Sequence, residues 1–268
     1  MKLACSERLA QGGSFGERIA YLQRFGFEGI EARVPVAEAT PQRLDEITHT
    51  LAGSPLKVSL LICPGEGFTI PVDTAERRAV KWAHAKRALE IGARLGGVVD
   101  ILPEYQAQTP LPLSDRSKSL PPAERDLLLG FLQDVADYAE RLSVTVGLEA
   151  INRYETHYFH RLEEVMTIID QVGSSHLKII ADFFHMQIEE RDIATSIENA
   201  AGYIGYVQLG DSNRELPGQG HTDFRPGFAA LKRIGYDGYL ALECRVPRDP
   251  EREFSECIHF VRHCWQSA

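Results

Sequence analysis

No apolar stretch of this 268-residue chain approaches the roughly 20 residues that a membrane-spanning helix needs, so nothing in it calls for a membrane. Cysteine is sparse: Cys5, Cys63, Cys244, Cys257 and Cys264 make an odd count with no CxxC pair, which speaks against a disulfide scaffold and suits reduced thiols in a cytosol. Excess positive charge is also missing. With 29 Lys and Arg against 38 Asp and Glu, a net charge of -9 and no basic cluster, the chain has little to offer a nucleic acid, whose binding depends on clustered cations. No composition break or linker marks a boundary, and Met1-Lys-Leu-Ala-Cys5 reads as a strand rather than a signal peptide. These absences predict one cytoplasmic domain over residues 1–268, with a small molecule as partner and no nucleic acid or membrane.

What is present is ordinary for a folded globule, 44% hydrophobic and 25% charged, which sets disorder and fibrous structure aside. Short β-branched runs and helical patterns alternate from end to end. The candidate strands are Lys2 to Cys5, Gly29 to Val34, Lys57 to Ile62, Gly97 to Leu102, Val144 to Ala150, Leu177 to Asp182, Tyr203 to Gly210 and Gly238 to Cys244. Between them, Ser14-Phe-Gly-Glu17 reads as a capping box opening a helix to Phe25. Further helices are predicted from Ala75 to Ile91, stopping at Gly92; from Ala123 to Leu142, entered through Pro121-Pro122; and from Leu162 to Val172, stopping at Gly173. Trp82 and Trp265 fit helix packing better than a substrate platform. About eight strands in such an alternation predict an α/β fold, the (β/α)8 TIM barrel.

Four of the apolar runs close on a group that can bind a cation: Glu149, Asp182, Gln208 and Glu243, at intervals of 33, 26 and 35 residues. If the runs are barrel strands, these side chains meet at the C-terminal mouth, where such barrels keep their chemistry. A carboxylate there is costly unless paired or metal-bound, so a shared divalent cation on oxygen ligands is the simplest account. The alternative is that Glu149, Asp182 and Glu243 cap helices or pair locally with Arg153, Arg214 and Arg245. Two long connections, Cys63 to Asp73 and Pro103 to Leu120, leave the same face and are candidate substrate walls. Groups able to grip a polyhydroxylated molecule follow the strand ends: Asn152 to His157, Phe183 to Met186, and Asp211 to Arg214. His185 is placed either to bond a substrate oxygen or to serve as a further ligand. The Pro217-Gly-Gln-Gly-His221 turn lets backbone approach a ligand, a weak motif alone.

Glu149-Ala-Ile-Asn-Arg-Tyr-Glu155-Thr-His157, Asp182-Phe-Phe-His185-Met, Asp211-Ser-Asn-Arg214 with Pro217-Gly-Gln-Gly-His221, and Leu242-Glu243 resemble the metal-site motifs of the sugar phosphate isomerase/epimerase superfamily. These are xylose isomerase-like TIM barrels, and the closest likeness is to ketose 3-epimerases of the D-tagatose/D-psicose (allulose) type. The resemblance implies that Glu149 and Glu243 are metal-bound catalytic carboxylates, that Asp182 is a third ligand, and that Glu155, His185 and Arg214 contact substrate hydroxyls. It also implies a dimer or tetramer. One position departs, since Gln208 stands where these epimerases usually have histidine. An amide oxygen there shifts the expected metal from zinc toward manganese, with magnesium or cobalt as alternatives.

The chemistry expected of such a site is epimerisation at C3 of a ketose. One of Glu149 and Glu243 removes the carbon-bound proton, a cation stabilises the cis-enediolate, and the other carboxylate returns the proton to the opposite face. Four related activities remain open on the sequence: a keto-sugar-acid epimerase, an aldose-ketose isomerase of the hydroxypyruvate isomerase kind, an inosose dehydratase-like lyase, and, as the weakest reading, an apurinic endonuclease-like nuclease.

Overall fold

Short runs of Val, Ile, Leu and Ala alternating with helical patterns suit parallel strands covered by helices, and a computed structural model describing residues 1–102 and 120–268 has this arrangement. The strands are β1 (Lys2–Ser6), β2 (Gly29–Arg33), β3 (Lys57–Ile62), β4 (Val98–Asp100), β5 (Thr145–Glu149), β6 (Leu177–Asp182), β7 (Ile204–Leu209) and β8 (Tyr239–Leu242). Each pairs in parallel with its sequence neighbour, and β1 pairs with β8, so the sheet closes into a barrel in the order β1 to β8. Helices α1 (Phe15–Arg24), α2 (Pro41–Ala52), α3 (Ala75–Leu95), α4 (Pro122–Leu142), α5 (Leu162–Val172), α6 (Phe183–Glu189), α7 (Ile193–Asn199), α8 (Phe224–Arg233) and α9 (Pro250–Ser267) lie between or after the strands.

Local chemistry sets several of these boundaries. Ser14 and Glu17 form the expected reciprocal capping box at the start of α1, and Gly173 ends α5 with φ +72°, the left-handed conformation that glycine adopts without cost. At Gly92 the expectation fails, because α3 runs through it to Leu95. A Cβ there would lie 2.2 Å from Val99 Cγ2, so the glycine lets the helix press against β4 instead of ending it. Trp82 packs edge-on against Tyr138, and Trp265 lies against Phe228, both as helix contacts.

Among the described residues two apolar cores result. The larger fills the space between strands and helices. The smaller, built on Ala4, Leu60, Ile62, Ile180, Tyr206 and Ala241, plugs the barrel, with Tyr206 Oη and Ser59 Oγ hydrogen-bonded at 2.8 Å inside it. Side chains alternate between the faces of a strand. Residues two positions after Ile180, Tyr206 and Ala241 therefore face the same interior, and they are Asp182, Gln208 and Glu243. Among the described residues no helix is long and apolar enough to cross a membrane.

Candidate metal and sugar site

Above the apolar plug the barrel changes from hydrocarbon to carboxylate. Glu149 ends β5, Asp182 ends β6, and one ligand atom of each lies within 4.8 Å of the other and of a ring nitrogen of His185. Asp182 has no exposure, and its Oδ1 also caps α6 by accepting the Phe184 N–H at 2.9 Å. The capping alternative is thus true of Asp182, yet its other oxygen still faces the mouth. Arg214 donates to Asp182 Oδ2 at 2.9 Å and to Glu243 Oε2 at 2.5 Å, tying β6 to the end of β8. Its own φ is +63°, an uncommon backbone state for a side-chain-bearing residue. The guanidinium also lies over the Phe184 ring, 4.4 Å from its centroid. Of the pairs in the ion-pair alternative, Asp182 with Arg214 thus forms, whereas Arg153 forks onto Glu189 and Arg245 approaches Glu215 at 3.6 Å, so those of Glu149 and Glu243 do not.

Gln208 is opposite Asp182 in the β6–β7 register. Its Nε2 donates to Glu31 Oε1 at 2.9 Å, while Gln208 Oε1 is buried and has no hydrogen-bond partner among the described residues. Glu31 on β2 has no exposure, and Asp100, ending β4, is likewise buried. Glu31 Oε2 and Asp100 Oδ1 also lack hydrogen-bond partners among the described residues. Burial first, then the neighbouring carboxylates, pushes the pKa of both well above the usual carboxylate range. Glu243 is pushed up to about 7, chiefly by burial and against the pull of Arg214. These carboxyl oxygens and the Gln208 amide oxygen, three of them buried and unpartnered among the described residues, make a donor set suited to a hard divalent cation.

Glu31 and Asp100 were not among the residues singled out from sequence. The signal was available, since each is an acid inside or ending a run that reads as a fully buried strand.

A family model described as the xylose isomerase-like TIM barrel matches residues 19–264. The chain belongs to that family. Within it, the chain is 28% identical over 253 residues to 3-dehydro-D-guloside 4-epimerase of Escherichia coli K12, covering 92% of this chain and 94% of that protein. A D-psicose 3-epimerase of Enterocloster bolteae is 38% identical over 112 residues, a local match covering 42% of this chain and 37% of that protein. A crystal structure of E. coli 3-keto-D-glucoside 4-epimerase superimposes with a TM-score of 0.87 at 24% identity, covering 98% of this chain and all of that one. By name these relatives are sugar epimerases.

The other expected positions of this xylose isomerase-like barrel fall around the same mouth. Glu155 accepts from Asn152 Nδ2 at 2.9 Å, and Asn152 in turn touches His185 Nδ1. In the glycine turn Gly218 donates its N–H to Asp211 Oδ2, and a Cβ at Gly220 would lie 2.2 Å from Asp211 Oδ1, so the turn's backbone closes tightly on a buried carboxylate. Asp211 also accepts from Ser212 and Thr222 and holds the loop that carries Arg214. Of the two long connections, Cys63 to Asp73 folds inward, with Val72 buried and its N–H bonded to Tyr158 Oη at 2.8 Å. The connection from Pro103 to Leu120 lies, but for Leu120, outside the described residues.

Proposed function

We propose that this barrel is a divalent-metal-dependent sugar epimerase that inverts C3 of a ketose, with Glu149 and Glu243 as the two proton-transferring carboxylates. The observation that supports it most directly is the convergence of Glu149, Asp182 and Glu243 with His185 and Arg214 at one mouth. In this reading Glu149, Asp182, Gln208 and Glu243 hold the cation, and the all-oxygen donor set favours manganese, with magnesium or cobalt as substitutes. A bound cation would supply positive charge for the substrate oxygens on which negative charge develops.

The remaining work belongs to side chains of this chain. Glu149 leaves β5 and Glu243 follows β8, three places apart around the ring, so the two carboxylates reach the pocket from different sides. One removes the proton from the carbon beside the carbonyl, the other delivers a proton to the opposite face, and configuration inverts. Burial lifts the metal-free Glu243 carboxyl to about 7, and a bound cation would draw it back toward the ionised form that a base needs. Arg214, His185 and Glu155 contact the sugar hydroxyls and fix which carbon faces the bases.

A second reading is favoured by one observation. The relative aligned over nearly its whole length is a 4-epimerase of a 3-dehydro sugar. The chemistry is the same, since C4 is as acidic beside a C3 carbonyl as C3 is beside a C2 carbonyl.

Incubating manganese-loaded protein in heavy water with ketohexoses, ketopentoses, keto-sugar acids and 3-keto glycosides, and following label by NMR, tests both. Deuterium at C3 with a new epimer is the expected result, and deuterium at C4 of a 3-keto glycoside selects the second reading. An aldose labelled at C1 or C2, loss of water, or no exchange with any sugar would overturn both.

A further inference from the structure

Arg33 ends β2, and the alternation of side chains along that strand turns it into the barrel. Glu31, two positions earlier, meets Gln208 inside the ring, and Arg33 is in register with Ile62 of the inner apolar core. Its electrostatic reach agrees with that direction. Burial first, then Glu149 and Glu243, raises the Asp100 carboxyl, while Lys81 and Arg33 oppose the rise, although β3 separates β2 from β4. A guanidinium felt at Asp100 lies over the mouth of the barrel and not among the outer helices.

The acids near Arg33 are engaged elsewhere. Glu7 accepts the Arg33 backbone N–H at 2.7 Å on one oxygen and Arg18 Nη1 at 2.5 Å on the other. Glu31 accepts from Gln208, and Arg214 holds Asp182 and Glu243. Asp100 Oδ1 has no hydrogen-bond partner among the described residues, so it does not bond Arg33 either. Among the described residues Arg33 is the one arginine that is neither exposed nor held through its guanidinium by a hydrogen bond or ion pair. In a chain of net charge -9 with an acidic mouth, a half-buried cation left in that state is suited to an anion from outside the chain.

We propose that Arg33 is a specificity-determining residue that binds a carboxylate at the end of the sugar remote from the reacting carbons, so that the substrate class is a keto-sugar acid. The proposal rests on reading this mouth as the sugar site. In a ring of eight strands β2 stands opposite β6, and the groups assigned to the cation and to proton transfer leave β5 to β8. A sugar whose reacting carbons lie at those groups extends across the mouth toward β2. A single planar fork matches the two oxygens of a carboxylate. A neutral sugar would strip water from the guanidinium without replacing it, and that penalty is what selects the acid.

The test is calorimetric binding to the full manganese-loaded chain, comparing D-fructose and D-tagatose with D-fructuronate and D-tagaturonate, in which C6 is a carboxylate, and with the C6 phosphates of the two ketoses. Deuterium exchange is followed separately. At least one keto acid should bind about tenfold or more tighter than both of its counterparts. Arg33→Leu should weaken binding of that acid about 10- to 100-fold and abolish the preference, whereas Arg33→Lys, a charge without the fork, should keep part of it. Equal binding of acids and neutral ketoses, a preference for the phosphates, or a preference that survives Arg33→Leu, as it would if the carboxylate sat on the cation, would overturn the proposal. Arg33→Gln gives the same reading if leucine unsettles the fold. Because binding is read apart from turnover, a keto acid held through Arg33 without any exchange would overturn the epimerase reading alone, whereas exchange on neutral ketoses with no preference for the acids would overturn this inference alone.

Discussion

Glu149 and Glu243 sit at the ends of apolar strands, yet their partners differ: Glu149 lies beside His185, and Glu243 is bound to Arg214. If each moves a proton, Glu149→Gln and Glu243→Gln should each lower kcat by roughly 10²–10⁴-fold while leaving the circular dichroism spectrum and melting temperature close to wild type. Normal turnover in either variant would rule out a two-base exchange. Gln208 is set by a residue on the far side of the barrel, since Glu31 accepts its N–H and leaves its carbonyl oxygen unpartnered. Replacing that acceptor with a hydrocarbon of similar size, Glu31→Leu, should weaken manganese binding roughly 10- to 100-fold by calorimetry, while Glu31→Gln, which can still accept, retains most of the affinity. Gln208→His should stay active and shift metal preference toward zinc. An unchanged metal preference would remove Gln208 from the ligands.

Elements position these residues by packing closely enough that a single Cβ matters. The α3 helix crosses β4 at Gly92, where the nearest atom to an added methyl is 2.2 Å away. Gly92→Ala gains up to about 1 kcal/mol of helix propensity but forces overpacking that costs about 1–3 kcal/mol. The net expectation is a destabilised protein, read as a lower denaturation midpoint at unchanged slope. The sequence suggested a helix stop at this glycine because glycine ends helices more often than it admits neighbours. Only contact with Val99, seven positions on and in another element, shows which role applies.

At the scale of the whole molecule, the barrel collects acidic groups at one end and relies on a few cations to balance them. Glu243, held at about 7, and Glu31 and Asp100, shifted in the same direction, keep protons in the folded protein that the unfolded chain would release. A raised carboxylate contributes stability below its unfolded pKa and loses it as pH climbs to the folded value. Chelator-treated protein should therefore melt at lower temperature as pH rises from about 5 to about 8, and manganese should reverse much of that fall by binding the folded form. A melting curve of stripped protein indifferent both to pH in this range and to added manganese would count against a metal held by these groups.

The alternation of strand and helix, the barrel and the placing of Glu149, Asp182, Gln208 and Glu243 at or beside strand ends were legible in the chain, because period-two burial and strand-end acids are local patterns. Capping at Ser14 and Gly173 was legible for the same reason. What only the tertiary structure decided is pairing across the barrel. That Gln208 turns its amide to Glu31, 177 positions away, that Arg214 bridges both Asp182 and Glu243, and that Asn152 meets the ring of His185 all depend on which strands and loops become adjacent when the sheet closes. Spacing along a chain determines which face a side chain occupies; closure of the ring determines what it meets there.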